Sequence, residues 1–284
     1  MKLLLLDGHY PDAELAGFDV VDVPQDDVAA VLTMPTHPVG EKLMAQLPAL
    51  RVVGTASVGF DHVDIEAAER RGVAVVSVPD YCTEEVADHT LALLYALLRG
   101  VVELDRRVAR GEWDAKAAGP LRTLAGMRVG IVGLGRIGNA VATRLLALGA
   151  EVWATDVLPV ARDGVQLVEL DELLAECEAV TLHVPLTKET RGLIRSREIA
   201  SMRPGALLVN TSRGGVVDAG AVLQALRSRK LGGAALDVLP TEPPPAPPLA
   251  PNLIVTPHAA YYSDASEERS YRLCIARVRE VLGA

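Results

Sequence analysis

The chain has 284 residues, half of them hydrophobic, and a net charge of −9. This length suits two domains with sizeable cores, and the negative charge argues against nucleic acid as the main partner. No apolar run is long and uncharged enough to span a bilayer, which argues against a membrane partner, and the three scattered cysteines indicate reduced thiols and a cytoplasmic protein.

The first third of the chain alternates short apolar strands with helical stretches. Residues 1–6 resemble the apolar part of a signal peptide, but the run stops at Asp7 without a cleavage site and is interpreted as a strand. Strands are predicted over residues 3–6, 28–32, 51–54 and 73–76, and helices over residues 40–47 and 64–70. A long helix is predicted from about residue 83 to Arg110, as a bridge between two α/β units, and His89 is expected to face outward from it.

A glycine-rich turn follows the strand predicted over residues 127–132. Its sequence is Gly133-Leu-Gly-Arg-Ile-Gly138, and a helix predicted over residues 139–148 comes directly after it. Strand, G-x-G-x-x-G and helix occur here in the order that a dinucleotide site requires. Gly133 permits the tight turn, Gly135 lets the backbone approach the pyrophosphate, and Gly138 lets helix and strand pack closely. The N-terminus of the helix offers N–H groups to the phosphates.

An acidic residue lies where a dinucleotide site places one. The strand predicted over residues 151–155 ends at Asp156, roughly 20 residues beyond the glycine-rich turn, where a carboxylate hydrogen-bonds ribose hydroxyls. Asp156 would repel a 2′-phosphate, and Val157 rather than a basic residue follows it. The sequence therefore predicts NAD as the cofactor, in preference to NADP.

The remaining elements complete a second α/β unit and return the chain to the first. Strands are predicted over residues 180–184, 207–210, 234–238 and 253–256. An amphipathic helix over residues 263–282 is expected to pack on the first unit. The predicted domains are therefore residues 1–92 together with 262–284, and residues 93–261.

Three polar residues follow apolar strands in the last third of the chain. Arg213 lies in Asn-Thr-Ser-Arg-Gly-Gly, Glu242 in Leu-Pro-Thr-Glu-Pro, and His258 in Thr-Pro-His-Ala-Ala. Polar residues at the carboxyl ends of parallel strands can meet in one crevice. An arginine to hold a carboxylate, a histidine to move a proton and a carboxylate to tune it are a set of groups suited to a dehydrogenase. No ligand spacing typical of a metal site occurs, so no metal is expected.

With these motifs the chain resembles the D-isomer-specific 2-hydroxyacid dehydrogenases over essentially its whole length. The motifs are Val132-Gly-Leu-Gly-Arg-Ile-Gly138, His183-Val-Pro-Leu-Thr187, Val209-Asn-Thr-Ser-Arg-Gly-Gly215, Leu236-Asp-Val-Leu-Pro-Thr-Glu-Pro243 and Pro257-His-Ala-Ala260. Residues 79–88 and 258–263 are similar to the branch of the C-terminal-binding protein corepressors, and phosphoglycerate dehydrogenases are further relatives. The resemblance implies an α/β fold of two Rossmann-like, doubly wound domains. The NAD domain would be inserted into a discontinuous, flavodoxin-like substrate domain.

The resemblance also implies a role for each site residue. Arg213 would bind the substrate carboxylate or carbonyl, His258 would be the general acid or base, and Glu242 would hydrogen-bond the other imidazole nitrogen of His258. A backbone loop would contribute further to substrate binding through Ser57, Val58 and Gly59. The cofactor would be bound by Gly133, Gly135, Arg136, Ile137, Gly138, Asp156, Val184, Pro185, Thr190, Thr211, Ser212, Asp237 and Ala260.

The implied activity is hydride transfer between NAD and a small 2-oxo or D-2-hydroxy acid, as in glyoxylate/hydroxypyruvate reductases. Two alternatives stay open: an NADH-responsive regulatory protein of the corepressor type, and a phosphoglycerate-, phosphonate- or formate-type dehydrogenase of the same superfamily. By analogy with relatives that pair through the long helix and the segment after it, a homodimer is expected, with residues 103–121 and Trp113 at its interface.

Overall fold

The computed structural model describes residues 1–8, 10–158, 161–246 and 248–283. The chain divides into two compact units, one formed by Met1–Cys82 with Tyr262–Ala284 and the other by Thr83–Tyr261. The first division thus falls at Cys82 and not after residue 92, because residue 92 lies inside a helix that begins at Thr83 and packs within the second unit. The assignment of the units to substrate and cofactor stays a prediction.

The first unit contains a five-stranded parallel sheet in the order β2-β1-β3-β4-β5, which is the flavodoxin-like order. Its strands are β1 (Lys2–Leu5), β2 (Asp19–Val21), β3 (Val28–Thr33), β4 (Val52–Thr55) and β5 (Ala74–Val76). Its helices are α1 (Asp12–Leu15), α2 (Glu41–Ala45), α3 (Ile65–Arg71) and the C-terminal helix Asp264–Leu282.

Local sequence signals set the ends of the helices in the first unit. The Asp64 carboxylate accepts a hydrogen bond from the Ala67 N–H at 2.9 Å and so caps α3, which ends at Gly72 in the left-handed conformation. The Ser263 hydroxyl accepts from the Ser266 N–H and caps the C-terminal helix. All residues of β3 are buried, as expected of a central strand in a parallel sheet covered on both faces.

The second unit contains a seven-stranded parallel sheet in the order β12-β11-β10-β9-β6-β7-β8. Its strands are β6 (Arg128–Val132), β7 (Glu151–Thr155), β8 (Val165–Leu167), β9 (Ala179–Leu182), β10 (Ala206–Asn210), β11 (Leu231–Leu236) and β12 (Leu253–Val255). Its helices are α4 (Thr83–Arg99), α5 (Val101–Ala109), α6 (Arg136–Ala147), α7 (Leu170–Glu176), α8 (Ser196–Ser201) and α9 (Ala219–Arg227). Read from β6, this is the doubly wound order of a dinucleotide-binding sheet with one added strand.

Helices cover both faces of the second sheet, because its central strands are apolar on both sides. One face buries Ile131 against Leu94 of α4 and Leu145 of α6. The other face packs against α7, α8 and α9, for example through Leu173 and Val222. The predicted doubly wound fold is thus confirmed. No helix among the described residues is long and apolar enough to cross a membrane.

The helix predicted to run unbroken to Arg110 is in fact two helices, so that prediction was wrong. Gly100 separates α4 from α5 and has φ +59° and ψ 26°, which is the left-handed region. A Cβ at Gly100 would lie 2.7 Å from the Ala118 Cβ, so the chain packs closely there. The helix turns at Gly100 because only glycine tolerates both the conformation and this approach.

Candidate functional site

Most residues predicted to be functional lie at one edge of the second sheet. All seven strands are parallel, so their carboxyl ends lie at the same edge. The loops after β6, β7 and β9 carry most of the residues predicted to bind the cofactor, and Thr211, Ser212, Asp237 and Ala260 lie after β10, β11 and β12. The loops after β10, β11 and β12 carry Arg213, Glu242 and His258. Because β10, β11 and β12 are neighbours in the sheet, the predicted catalytic residues lie on adjacent loops.

The glycine-rich turn after β6 is packed so closely that two of its positions accept only glycine. Gly133 has φ +92°, and a Cβ there would lie 2.7 Å from the His183 carbonyl oxygen. A Cβ on Gly138 would lie 2.0 Å from the Gly133 carbonyl oxygen, so only glycine fits. Gly135 faces open space and precedes the first turn of α6, to which Arg136 and Ile137 belong. The turn therefore leaves room for phosphates at a helix N-terminus.

Asp156 is held against this turn by two backbone hydrogen bonds. Its Oδ2 accepts from the Leu134 N–H at 2.7 Å, and its Oδ1 accepts from the Leu158 N–H at 2.9 Å. A fixed negative charge thus lies beside the glycine-rich turn, at the end of the neighbouring strand β7. These features fit an NAD molecule, whose adenosine ribose would meet the carboxylate.

The loops after β9 and β10 are ordered by their own hydroxyl groups. The Val184 side chain would meet a Cβ on Gly133 at 2.9 Å, which places this loop beside the glycine-rich turn. Thr190 Oγ1 donates to the Pro185 carbonyl oxygen at 2.6 Å. Thr211 Oγ1 lies 2.9 Å from Thr90 Oγ1, and Ser212 Oγ donates to Asn210 Oδ1 at 2.7 Å.

His258 and Glu242 form a hydrogen-bonded pair at the carboxyl edge. His258 Nδ1 lies 2.7 Å from Glu242 Oε2, and the other oxygen of Glu242 accepts from the Leu239 N–H at 2.7 Å. Both side chains are about one-third exposed, at 31% and 36%. The pairing leaves Nε2 of His258 available to a substrate, while both oxygens of the carboxylate have partners.

The electrostatics of this pair keep Glu242 ionised. Burial raises the pKa of the Glu242 carboxyl, but the hydrogen bonds from His258 and the Leu239 N–H outweigh it, together with the positive charges of His258 and Arg213. The pKa of Glu242 therefore lies below its ordinary value. Because the charge of Arg213 contributes to this shift, the three predicted catalytic residues belong to one electrostatic site.

The loop that carries Arg213 packs directly against the loop that carries Glu242. A Cβ on Gly214 would lie 2.0 Å from the Leu239 carbonyl carbon and 2.1 Å from its oxygen. Only a residue without a side chain permits this approach. The Arg-Gly-Gly sequence thus places a cation next to the Glu242 loop, and the Arg213 guanidinium also donates to the Ser212 carbonyl oxygen at 2.9 Å.

Asp237 organises the turn that carries His258. Its side chain is fully buried, its Oδ1 accepts from the Ala259 N–H at 2.8 Å, and its Oδ2 accepts from the Ala260 N–H at 3.0 Å. Thr256 Oγ1 donates to Asp237 Oδ1 at 2.5 Å. His258 itself has φ +53°, a left-handed conformation that non-glycine residues rarely adopt. The carboxylate therefore stabilises an unusual backbone conformation.

Ser57, Val58 and Gly59, predicted to bind substrate, lie in the first unit after β4. Ser57 is buried, and its hydroxyl donates to the Gly59 carbonyl oxygen at 2.7 Å and lies 2.7 Å from Thr55 Oγ1. These bonds fix a compact loop. The role of this loop toward a substrate stays a prediction.

His89 does not simply face outward from its helix, as was expected from the sequence, but contacts residues of the His258 turn. Its Nε2 lies 3.2 Å from Thr256 Oγ1 and 3.6 Å from Asp237 Oδ1. The expectation was wrong because residues 89 and 256 are distant in sequence and meet only in the folded unit. A histidine on the face of α4 that packs against the sheet was the only available signal.

The chain is similar to known 2-hydroxyacid dehydrogenases. The model of the family described as D-isomer specific 2-hydroxyacid dehydrogenase, NAD binding domain, matches residues 91–260. The chain is 39% identical over 236 residues to a glycerate dehydrogenase of Methylorubrum extorquens, a match that covers 80% of this chain and 74% of the relative.

Two solved structures resemble the whole chain. One is D-lactate dehydrogenase from Aquifex aeolicus complexed with NAD and lactic acid, at 29% identity and a TM-score of 0.89, covering 100% of this chain and 96% of that one. The other is an NADPH-dependent glyoxylate/hydroxypyruvate reductase from Sinorhizobium meliloti in complex with NADP and malonate, at 28% identity and a TM-score of 0.88, covering 100% and 94%. These similarities confirm the resemblance predicted from the motifs.

Proposed function

Because the chain belongs to the D-isomer specific 2-hydroxyacid dehydrogenase family and contains its NAD-binding domain, we propose that it reduces a small 2-oxo acid to a D-2-hydroxy acid, and catalyses the reverse reaction. The main support for the proposal is the 2.7 Å hydrogen bond between His258 and Glu242. These two residues lie on loops next to the loop that contains Arg213. Glyoxylate and hydroxypyruvate are the first candidate substrates.

Arg213 binds the substrate in this proposal. NAD, when bound, supplies or accepts the hydride. The planar guanidinium of Arg213 donates two parallel hydrogen bonds to a carboxylate, which fixes the orientation of the reacting carbon. The backbone N–H groups of Ser57, Val58 and Gly59 in the first unit are proposed as donors to the substrate.

His258 moves the proton. Glu242 Oε2 accepts from Nδ1–H, so Nε2 is the nitrogen that faces the substrate oxygen. In reduction the imidazolium donates its Nε2 proton to the carbonyl oxygen, and in oxidation the neutral ring accepts the hydroxyl proton at Nε2. Glu242 stays ionised because its pKa is lowered, and it stabilises the imidazolium and fixes the orientation of the ring.

The proposed cofactor site favours NAD over NADP. Asp156 places a fixed carboxylate beside the glycine-rich turn, where the 2′-phosphate of NADP would be repelled. The other residues proposed to line this site are Gly133, Gly135, Arg136, Ile137, Gly138, Val184, Pro185, Thr190, Thr211, Ser212, Asp237 and Ala260. The cytoplasmic location expected from the cysteines stays a prediction.

The test is turnover on a panel of acids with NADH and with NADPH. The 2-oxo acids of the panel, which NADH or NADPH would reduce, are glyoxylate, hydroxypyruvate, 2-oxoisocaproate, phenylpyruvate and phosphohydroxypyruvate. Formate and phosphite, which would be oxidised, are assayed with NAD⁺ and with NADP⁺. We expect a 2-oxo acid without phosphate to give the highest kcat/KM, and NADH to exceed NADPH. His258→Ala and Arg213→Ala should each lower kcat/KM by about 100-fold or more. Arg197→Ala is the control, because the Arg197 side chain is 81% exposed and pairs with Glu198.

Several outcomes would contradict the proposal. Binding of NADH without turnover of any acid would favour the NADH-responsive regulatory alternative. Preferred turnover of phosphohydroxypyruvate, formate or phosphite would favour the other dehydrogenase types. Loss of NADH affinity alone in the His258 and Arg213 variants would assign these residues to the cofactor.

We further propose a homodimer formed through α5 and the segment after it. Helix α5 buries none of its residues, and Val101, Val108 and Trp113 are 55%, 49% and 90% exposed. Exposed apolar residues along one short helix and its neighbour are typical of an interface between subunits.

A further inference from the structure

A chain of hydrogen bonds connects His89 of α4 to the turn that carries His258. His89 Nε2 lies 3.2 Å from Thr256 Oγ1, which lies 2.5 Å from Asp237 Oδ1. The Thr256 hydroxyl has one proton, and the Asp237 carboxylate accepts it. Thr256 must therefore accept from His89, which requires a proton on His89 Nε2. The order of donation is His89 to Thr256 to Asp237.

The far end of this chain holds the backbone around His258. Asp237 accepts from the N–H groups of Ala259 and Ala260 through its carboxylate, and its carbonyl oxygen accepts from the His258 N–H at 2.8 Å. His258 has φ +53°, and a non-glycine residue keeps such a conformation only where its surroundings hold it. The position of the His258 ring thus depends on the orientation of the Asp237 carboxylate.

The next residue of α4 supports the loop that carries Arg213. Thr90 Oγ1 donates to the Val86 carbonyl oxygen at 2.7 Å, so at 2.9 Å it accepts from Thr211 Oγ1. Thr211 lies two residues before Arg213. Two consecutive residues of α4 therefore contact the two loops proposed to bind substrate and to move the proton.

We propose that His89 is a positioning residue, which acts through Thr256 and Asp237 to hold His258 in the orientation that proton transfer requires. This inference rests on the proposed role of His258. His89 itself acts through other residues and moves no proton in the reaction. Its contribution is to supply the Nε2–H group at a fixed place, which the protonated ring has and the neutral ring has in its Nε2–H tautomer.

Substitution of His89 separates this role from a general contribution to folding. We expect His89→Leu to lower kcat and kcat/KM equally, by about 10- to 100-fold, because a displaced general acid affects only the transition state. The KM of the 2-oxo acid and the Kd of NADH should change by less than about threefold. His89→Gln keeps an N–H at the place of Nε2 and should restore most of kcat. The control is Asp88→Ala, since the neighbouring Asp88 is exposed and pairs with Arg144.

A double substitution tests the path through Thr256. Thr256→Val removes the hydroxyl and should reproduce the loss seen in His89→Leu. If both residues act through one chain, the double variant loses no more than either single variant. Three results would each overturn the proposal. The first is a double variant whose loss of kcat is the product of the two single losses, and the second is an equal loss in His89→Gln and His89→Leu. The third is a KM that rises in His89→Leu while kcat is unchanged.

A spectroscopic measurement separates this inference from the proposed activity. Nitrogen NMR of ¹⁵N-histidine-labelled protein, at about pH 9 where histidine rings are neutral, should find the Nε2–H tautomer at His89, assigned by its loss in His89→Gln. The ring signals of His258 should move in His89→Leu and return in His89→Gln. An Nδ1–H tautomer at His89, or unmoved His258 signals, overturns the inference even in an active enzyme. If these signals behave as expected but no acid is turned over, the proposed function fails and the structural coupling stands.

Discussion

The pair of Glu242 and His258 makes a specific prediction about pH. The pKa of Glu242 is lowered in the folded chain, so the folded state binds its proton less readily than the unfolded chain does. The pair therefore stabilises the fold fully above the ordinary glutamate value of 4.5, and this stabilisation is lost as the pH falls through the lowered pKa. We expect the difference in the free energy of unfolding between wild type and Glu242→Gln to shrink as the pH falls below the ordinary glutamate value of 4.5.

Urea denaturation at a series of pH values, followed by circular dichroism, measures this difference. Below about pH 5, acidification changes the charge of the Glu242 carboxyl, which only the wild type has, so the comparison in this range reports on Glu242. A difference that grows as the pH falls would mean that the folded state raises the pKa of Glu242, and the pairing with His258 would then be refuted.

Single residues also show how much of the candidate site could be predicted from the sequence. Arg213, Glu242 and His258 could be selected because each follows an apolar strand within an ordered set of motifs. His89 could not, because its partner Thr256 is brought to it only by the packing of α4 on the sheet. The hydrogen bonds of Asp237 could not be predicted for the same reason. Its motif indicates a contact with a ligand and does not indicate that the side chain stabilises the turn around His258.

At the level of elements, the loops that carry Arg213 and Glu242 approach each other so closely that the residue at position 214 is constrained. Gly214→Ala would place a Cβ 2.0 Å from the Leu239 carbonyl carbon, which is backbone and cannot rotate away. The loops that carry Arg213 and Glu242 must then separate. We expect kcat/KM for the 2-oxo acid to fall by about 100-fold, because a displacement of about 1 Å suffices for such a loss.

The measurement is steady-state kinetics, with NADH affinity and far-ultraviolet circular dichroism as checks on the fold. Gly40→Ala is the matched control, since a Cβ on Gly40 would meet nothing within 4 Å. Activity of Gly214→Ala equal to that of Gly40→Ala would show that the loops can separate without harm.

The elements found from the sequence are those with a strong local pattern. Strands such as β6 and β10 are apolar runs followed by glycine or polar residues, and their bounds agree with the prediction to within a residue or two. Strands β2 and β8 were missed because each is a short edge strand of 3 residues that is largely exposed. The break at Gly100 was missed because α4 and α5 are both amphipathic and the pattern runs through them.

For the whole molecule, the order of the strands could be inferred only in outline. Alternating strands and helices indicate parallel sheets, and the return of the last helix to the first unit predicted a discontinuous arrangement. The boundary at Cys82 needed the structure, because the sequence does not say with which sheet the first turns of α4 pack. The packing of α4 against α6 and β10 answers that question.

The proposed dimer is the remaining prediction at this scale. Helix α5 and Trp113 expose apolar surface that neighbouring elements leave uncovered. Burial of such surface is the main source of the stability of subunit interfaces, and charge placed within it opposes association. We therefore expect a dimer in the wild type, and a monomer when Val108→Asp and Trp113→Asp are combined.

Light scattering coupled to size-exclusion chromatography distinguishes the two states. Val157→Asp serves as the control, because Val157 is 98% exposed, lies outside the proposed interface and likewise replaces an exposed apolar residue with aspartate. A monomeric wild type would refute the dimer. A double variant that stays dimeric would place the interface elsewhere on the chain. If the double variant is monomeric and still folded, the exposed apolar surface of α5 is explained by the partner subunit that covers it.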